Sequence, residues 1–313
     1  MSNKIIDVHH HILPPGYMSE LGERIGAQGL FGSPPEWSPQ ISIDAMDRNG
    51  IGAAITSISA PGVWFGDTAE AARLARGCNE YAAQMKRDYP GRFGFFAILP
   101  MPDVALTLRE IEYAFDTLGA DGVDLMTNVA GRYPGEAVFQ PVFDDLNRRK
   151  AVAFFHPVAG AYGNPMPHVP VPSLEFPFET TRAITSLLYG GTLARCHDMR
   201  FVFSHGGGAI PFLVQRIARL TARPEFKNAV PDGVLAELAR IYVDTALAAN
   251  LFAFEPIRRL MPVSHILFGS DFPHAGEPTL IGTLKGTDEV ELTAAEVLGV
   301  KGGNAAALFP SLA

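Results

Sequence analysis

Ile5-Ile-Asp-Val-His-His-His11 is the stretch on which the fold prediction for this 313-residue chain depends. β-Branched residues begin it and two prolines follow shortly afterwards, which predicts a short strand. Because side chains alternate along a strand, His9 and His11 lie on one face and His10 on the other. Two imidazoles on one face are half of a metal site. A histidine taken alone is more often a packing or surface residue, so the assignment depends on the later segments.

The composition predicts a soluble globular protein rather than a nucleic-acid or membrane protein. The chain is 47% hydrophobic and 19% charged, with a net charge of −8 and no cluster of basic residues of the kind that binds phosphates. No signal peptide is apparent, and no run approaches the ~20 apolar residues of a membrane span. We therefore expect a cytoplasmic protein. Cys78 and Cys196 have no CxxC spacing and are predicted to be buried thiols.

Strand and helix patterns alternate through the whole chain. The predicted strands are Ile5–His11, Ile51–Ile58, Phe93–Leu99, Gly122–Met126, Ala151–His156, Arg200–His205, Ile241–Asp244 and His265–Asp271. The predicted helices are Ile41–Arg48, Thr68–Asp88, Val104–Leu118, Ala137–Arg149, Phe178 to about Leu193, Ile210–Leu220 and Leu251–Met261. Long Gly- and Pro-rich segments, 12–39 and 157–177, follow strands one and five and are interpreted as lid loops over the site.

Eight alternating units favour a single-domain (β/α)8 TIM barrel over residues 1–313, with function at the carboxyl ends of the strands. A doubly wound open sheet would give the same local alternation. It would not explain why polar residues end strands one, five, six and eight, because only a closed barrel places strand one beside strand eight. At one barrel mouth, His9, His11, His156 and Asp271 would form a ligand set that suits Zn²⁺ and also Mn²⁺ or Fe²⁺. His205 remains as a candidate acid/base.

The sequence resembles the amidohydrolase superfamily, in the branch of 2-amino-3-carboxymuconate-6-semialdehyde decarboxylase. Four motifs, spread over almost the whole chain, carry this resemblance: Asp-Val-His-His-His at 7–11, Phe-Phe-His-Pro at 154–157, Ser-His-Gly-Gly-Gly at 204–208 and Phe-Gly-Ser-Asp-Phe-Pro at 268–273. The segment 178–182, Phe-Glu-Thr-Thr-Arg, is also similar. The resemblance implies a divalent metal on His9, His11, His156 and Asp271, zinc in the first instance and manganese as the alternative. It also implies that His205 is the catalytic histidine close to the metal, and that Asp271 is catalytic with it, because the proton would be delivered from the side of His205 and Asp271.

Two departures from the family pattern narrow the expected chemistry. Gly122–Met126 contains no lysine, whereas binuclear hydrolases of the superfamily have a carbamylated lysine on this strand, so one metal is expected. The semialdehyde decarboxylase holds its dicarboxylate substrate with an arginine ahead of strand two, where this chain has Ser42, Ile43 and Asp44. A substrate with a single carboxylate is therefore expected.

Two loop stretches, Ala-Pro-Gly at 60–62 and Pro-Pro-Glu-Trp-Ser-Pro at 34–39, look most similar to 6-methylsalicylate decarboxylases. Four aromatic residues are candidates for the lining of a pocket that binds a flat ring, and ordinary core packing is an equally good interpretation of each: Tyr17, Phe31, Trp37 and Trp64.

These resemblances imply a non-oxidative decarboxylase of an ortho-hydroxybenzoate, a carbon–carbon lyase without an organic cofactor. A mononuclear hydrolase of a lactone or amide is the alternative, since the same ligands would activate water. A catalytically inactive metal protein is disfavoured because His205 is present. Arg216, eleven residues after His205, stands where relatives place an arginine that reaches the neighbouring subunit's site. The resemblance thus implies a homodimer in which Arg216 meets the substrate carboxylate. A surface arginine is the alternative.

Overall fold

Eight parallel strands follow one another around a barrel in the order in which they occur in the chain. The computed structural model describes residues 4–27, 34–160, 166 and 168–313. Its strands are β1 Ile5–His11, β2 Ile51–Ser57, β3 Phe93–Ile98, β4 Gly122–Met126, β5 Val152–His156, β6 Arg200–Phe203, β7 Tyr242–Asp244 and β8 Ile266–Leu267. Backbone bonds from Val8 N to Phe268 O (2.9 Å) and from Asp271 N to His9 O (2.8 Å) join β1 to the end of β8. The predicted (β/α)8 barrel is confirmed.

The helices pack outside this barrel. They are α1 Pro15–Ala27, α2 Pro39–Arg48, α3 Thr68–Asp88, α4 Val104–Tyr113, α5 Gln140–Arg148, α6 Val171–Tyr189, α7 Thr192–Arg195, α8 Ile210–Ala218, α9 Pro224–Lys227, α10 Val234–Leu238, α11 Leu251–Leu260, α12 Gly276–Glu289, α13 Ala294–Leu298 and α14 Asn304–Leu308. A π-helical turn at Ala114–Leu118 continues α4, so the predicted helix Val104–Leu118 is continuous. Among the described helices, none has both the length and the apolar character that crossing a bilayer requires.

Two segments that the sequence suggested were loops contain helix instead. The segment after β1 includes the 13-residue helix α1, which begins at Pro15 in the first turn, where a missing N–H is harmless. The helix α6 begins at Val171 and not at Phe178, so it runs through Pro177. The sequence prediction started this helix after Pro177 because proline usually ends a helix. The described parts of both segments therefore include helix where we expected only loop.

The interior of the barrel explains why its strands read as continuous apolar runs. A cluster of buried side chains from most of the strands fills the barrel below the site: Ile6, Val8, Ala53, Ile55, Phe96, Val152, Phe154, Val202 and Leu267. Phe96 stacks on Phe154 at 5.2 Å. Strands covered on both faces are apolar on both faces. The two cysteines are buried and unpaired, as predicted.

Candidate metal centre and active site

Three histidines and one aspartate from β1, β5 and the segment after β8 meet at the carboxyl end of the barrel. One ligand atom from each of His9, His11, His156 and Asp271 lies within 4.8 Å of all the others. The Nε2 atoms of His9 and His11 are 3.0 Å apart, and Asp271 Oδ1 is 3.4 Å and 3.1 Å from them. The structure thus brings together the four residues that the sequence predicted to be ligands.

The turns after β6 and β8 fix where His205 and Asp271 sit. Both residues have positive φ angles, +55° and +60°, which bulky side chains adopt only when the surroundings hold them there. The predicted strands ran on to these two residues, but β6 ends at Phe203 and β8 at Leu267. Gly269 allows the chain ahead of Asp271 to pass close to β1, since an added Cβ would lie 2.8 Å from the Cβ of His9. A simple strand pattern does not encode these turns.

The ring nitrogens of the β1 histidines are oriented by hydrogen bonds on their far side. His9 Nδ1 donates to Asp244 Oδ2 at 2.7 Å, and His11 Nδ1 is 3.0 Å from Ser57 Oγ. Each ring is therefore held with Nε2 turned to the centre of the cluster. His11 Nδ1 is also 3.4 Å from the Ser57 carbonyl oxygen. Carboxylate and main-chain carbonyl partners are typical supports for histidines that bind metals.

The cluster fits a divalent cation by spacing and by chemistry. Atoms bound at about 2.1 Å to one cation are about 3.0 to 3.4 Å apart, close to the contacts of His9, His11 and Asp271. Nδ1 of His156 is buried and has no hydrogen-bond partner among the described residues, and an unsatisfied lone pair or N–H is costly away from water. Imidazole nitrogen and carboxylate oxygen suit zinc, manganese and iron.

The protonation pattern shows that the cluster attracts positive charge. Burial disfavours a charged His9, but the carboxylates of Asp244 and Asp271 outweigh burial and raise the pKa of His9 to about 10. Burial lowers the pKa of His11 to about 3. For Asp271 burial acts in the opposite sense, yet the neighbouring histidines hold the pKa of its carboxyl well below the usual range. The carboxylates of Asp244 and Asp271 therefore favour positive charge at this buried site.

Asp244, at the end of β7, is a functional residue that the sequence analysis missed. Its carboxylate is fully buried and accepts the His9 Nδ1–H through Oδ2, while Oδ1 accepts the backbone N–H of His205 at 2.9 Å. One side chain thus fixes both a predicted ligand and the predicted acid/base. The sequence signal was available, because β7 ends in aspartate as other strands end in histidine.

His205 occupies the position expected of a group that exchanges a proton near the cluster. Its Nε2 lies 3.4 Å from Asp271 Oδ2, and its side chain is 9% exposed, so it is reachable from the barrel mouth. The turn that carries it requires Gly208, where an added Cβ would lie 2.1 Å from the Pro177 carbonyl oxygen of α6. The structure therefore brings together His205 and Asp271, the two residues that the sequence analysis expected to be catalytic.

The remaining predicted residues lie outside this cluster. Arg216, on α8, is exposed and makes no hydrogen bond or ion pair with any described residue. Tyr17 is buried and donates to Gly62 O at 2.6 Å, and Trp37 packs against Tyr81. Trp64 lines a separate apolar cavity of about 180 Å³ between the loops that follow β2 to β5. Phe31 lies outside the described residues.

Two further side chains near the cluster were not singled out from the sequence. The His274 ring lies 5.4 Å from the ring of His11, and the Phe176 ring lies 6.0 Å from that of His156. His274 follows the Phe-Gly-Ser-Asp-Phe-Pro motif by one residue, so its place at the mouth was within reach of a sequence argument. Phe176 was not, because it comes from the part of α6 that we had expected to be loop.

The chain has no lysine on β4, and the inward side chain there is Asp124. It is fully buried, accepts the Ile58 N–H at 3.1 Å, and burial raises its pKa well above the usual range. A second group of possible ligands, His197, Asp232 and Glu237, surrounds Arg240, whose guanidinium lies 3.1 Å from each carboxylate. Arg240 therefore already supplies positive charge to that group.

Comparison with known proteins places this fold and cluster in a family. The model of the amidohydrolase family matches residues 6–311, and the chain therefore belongs to that family. It is 36% identical to 6-methylsalicylic acid decarboxylase of Penicillium expansum, over 98% of this chain and 96% of the relative. It is 28% identical to 2-amino-3-carboxymuconate-6-semialdehyde decarboxylase of Dictyostelium discoideum, over 86% and 81%. Both the predicted family and the predicted branch are confirmed.

A solved structure shows how closely the fold is shared. The 5-carboxyvanillate decarboxylase of Novosphingobium aromaticivorans, in complex with manganese and 4-hydroxy-3-methoxy-5-nitrobenzoic acid, superposes with a TM-score of 0.87. The two chains are 20% identical, and the match covers 99% of each. At this identity the likeness is one of fold.

Proposed function

We propose that this protein catalyses the non-oxidative decarboxylation of an ortho-hydroxybenzoate such as 6-methylsalicylate. The observation that carries the proposal is the His9, His11, His156 and Asp271 cluster with His205 beside it, in a chain 36% identical to a 6-methylsalicylic acid decarboxylase. One divalent cation would bind these four residues. Zinc is our first assignment, and manganese is the alternative that the related decarboxylase structure supports.

The chain's own residues account for the proton that the reaction needs. A cation in this site would act as a Lewis acid toward the phenolic and carboxylate oxygens of the substrate. His205 and Asp271, 3.4 Å apart, would deliver one proton to the ring carbon that bears the carboxylate. The bond between this ring carbon and the carboxylate then breaks and CO₂ leaves. The electron pair of the broken bond returns to the ring and restores its aromaticity. Asp244 would hold the backbone of His205 in place during this transfer.

A deuterium experiment tests the reaction directly. With 6-methylsalicylate in D₂O we expect 3-methylphenol carrying one deuterium at the carbon that held the carboxylate, because solvent supplies the proton that replaces CO₂. Mass spectrometry and NMR of the product, together with CO₂ release, measure this outcome. A control reaction with 3-methylphenol and enzyme in D₂O should leave the phenol unlabelled.

The same assay separates decarboxylation from hydrolysis. A mononuclear hydrolase would use the same ligands to activate water and would leave ring carbons unlabelled. If a panel of hydroxybenzoates releases no CO₂ while lactones or amides are cleaved, the decarboxylase proposal is wrong and the hydrolase replaces it.

We also propose that the enzyme is a homodimer in which Arg216 of one subunit binds the substrate carboxylate in the other. Two phenylalanines on neighbouring helices support a subunit interface, since Phe212 of α8 is 87% exposed and Phe252 of α11 is 94% exposed. Contiguous exposed apolar patches mark interaction sites, and phenylalanine is enriched at protein interfaces relative to the rest of the surface. Arg216 lies on α8 with Phe212 and has its guanidinium free of described partners.

Subunit complementation tests this arrangement. Arg216→Gln should lower kcat/KM by about 10- to 100-fold, the scale of a lost charge-assisted hydrogen bond. When Arg216→Gln and His205→Asn chains are co-expressed, half of the dimers are mixed and each mixed dimer has one complete site if Arg216 acts across the interface. Activity should then recover to about a quarter of the wild-type value. Recovery no better than the mean of the two variants, or an active monomer by light scattering, would rule the arrangement out.

A further inference from the structure

His10, the histidine of β1 that faces away from the metal cluster, belongs to a buried hydrogen-bonded chain. Its Nδ1 is 3.1 Å from Asp7 Oδ2, and its Nε2 is 2.8 Å from Ser42 Oγ of α2. The indole Nε1–H of Trp37 donates to the same Oγ at 2.9 Å. Asp7, His10 and Ser42 are completely buried. These four residues, Asp7, His10, Ser42 and Trp37, are called the buried relay below.

The donors and acceptors of the buried relay match in only one complete way. An indole N–H can only donate, so Ser42 Oγ accepts from Trp37 and has one proton to give. That proton goes to His10 Nε2, which leaves Nδ1–H to donate to the carboxylate of Asp7. The order Asp, His, Ser resembles a nucleophilic triad, but Ser42 lies on α2 and has no exposed surface. A substrate cannot reach it, so its role is not nucleophilic.

The other end of the buried relay contacts the backbone that carries the proposed ligands. Asp7 Oδ1 accepts the backbone N–H groups of His9 at 3.1 Å and of Ser270 at 3.0 Å, and Oδ2 accepts the Ser270 hydroxyl at 2.5 Å. Ser270 immediately precedes Asp271. The Asp7 carboxylate therefore holds two segments together. One is β1, which carries the proposed ligands His9 and His11, and the other is the segment after β8, which carries Asp271.

We propose that the buried relay positions the metal ligands of β1 and β8 relative to each other, and that Ser42 thereby controls metal affinity without touching a ligand. His10 keeps Asp7 in one orientation, and Ser42 keeps the His10 ring in one orientation. Trp37 lies just before α2, and its hydrogen bond to Ser42 connects that segment to the buried relay. This inference rests on the proposed metal centre, because the effect of the buried relay would be measured as a change in the metal affinity of that centre.

Ser42 is a positioning residue and not a catalytic one. Ser42 hydrogen-bonds to His10 and to Trp37 inside the protein and does not contact any of the four proposed ligands. Replacing it leaves two buried polar groups, His10 Nε2 and the Trp37 indole N–H, without their partner. The His10 ring is then free to turn, and Asp7 loses the constraint that aligns the two ligand segments.

Metal affinity measured on the folded apo-protein tests this inference. The dissociation constants of Zn²⁺ and Mn²⁺ are obtained by competition with a chromophoric chelator, for wild type, Ser42→Ala and Ser59→Ala. Ser59 is the matched control, because it is a buried serine whose hydroxyl has no hydrogen-bond partner in the part of the chain that the structure describes. We expect Ser42→Ala to raise both constants about 10-fold, the lower end for residues that support metal ligands. Ser59→Ala should stay within about twofold of wild type.

A second variant keeps the test decisive if Ser42→Ala folds poorly. Trp37→Phe preserves the half-buried ring and removes only the indole N–H, and we expect it to weaken metal binding about threefold with native circular dichroism. Equal metal affinity in wild type, Ser42→Ala and Trp37→Phe, with only the melting temperatures lowered, would show that the relay merely stabilises the fold and would overturn the proposal. A wild-type protein that binds neither metal would overturn the proposed metal centre and the relay's role with it.

Discussion

Replacing His11 by alanine should empty the metal centre and abolish decarboxylation together. The His11 Nε2 lies 3.0 Å from His9 Nε2 and 3.1 Å from Asp271 Oδ1, so its loss opens the middle of the ligand set. A cation would keep the other three proposed ligands, His9, His156 and Asp271, but it would lose one of its nitrogen ligands. Elemental analysis of the purified protein should fall from one metal per chain to below about a tenth, and kcat should fall by about 10² or more.

His197→Ala is the matched control for this change. His197 is a histidine of the second group of possible ligands, near Arg240 and away from the barrel mouth. We expect this variant to keep one metal per chain and wild-type activity. Full metal occupancy in His11→Ala would contradict the ligand assignment. Two metals in the wild type, with one lost in His197→Ala, would contradict the assignment of a single cation.

Replacing His205 by asparagine should separate catalysis from metal binding. Asparagine cannot exchange a proton near neutral pH, so we expect kcat to fall by about 10² or more while one metal per chain remains bound. His205 is suited to this test because it contacts Asp271 at 3.4 Å but is not part of the four-residue cluster. Asp271 is less informative, because its replacement would remove a ligand and a proton-transfer group at once.

The control for this variant is His265→Asn. His265 lies immediately before β8, at the opposite end of the barrel, where its ring stacks on Tyr242 at 4.0 Å. It should retain both metal and rate. If His205→Asn decarboxylates at the wild-type rate with its metal in place, the proton comes from elsewhere, and the role given to His205 is wrong. If it loses its metal, His205 is a fifth ligand and not a separate acid/base.

The two variants also bear on the part played by Asp244. This carboxylate links the His9 ring to the backbone of His205, so ligand geometry and acid/base geometry have a common support. A metal-loaded enzyme with an altered His205 therefore isolates proton transfer, whereas changes at His11 act through the cation. The His11 and His205 variants thus distinguish metal binding from proton transfer, and both leave Asp244 in place.

The sequence by itself determined the barrel and the cluster at its mouth. Strand alternation placed His9 and His11 on one face, and the polar ends of strands five and eight supplied His156 and Asp271. These inferences succeed because the period of a strand and the common direction of parallel strands are local rules. A polar residue at the carboxyl end of any barrel strand must lie at the same mouth, whatever the details of packing.

Helix boundaries near proline were less accessible to local rules. Propensity alone argued for loop in the segment after β1 and ahead of Phe178, yet α1 and α6 form there and bury Leu21 and Phe176. Tertiary packing of an apolar face outweighs a proline or a few glycines, since most helix stability in proteins comes from that packing. The sequence pattern could not show which surface would be available for these residues to cover.

Only the tertiary structure revealed how the cluster is held. The supports depend on hydrogen bonds between residues that are far apart in the chain. His9 and Asp244 are separated by 235 positions, and His10 and Ser42 are separated by 32. Direction and distance decide such bonds within a few tenths of an ångström, and no period in the sequence encodes them. The sequence therefore determined which groups gather at the mouth of the barrel, whereas the three-dimensional packing decided which buried polar side chains fix their geometry.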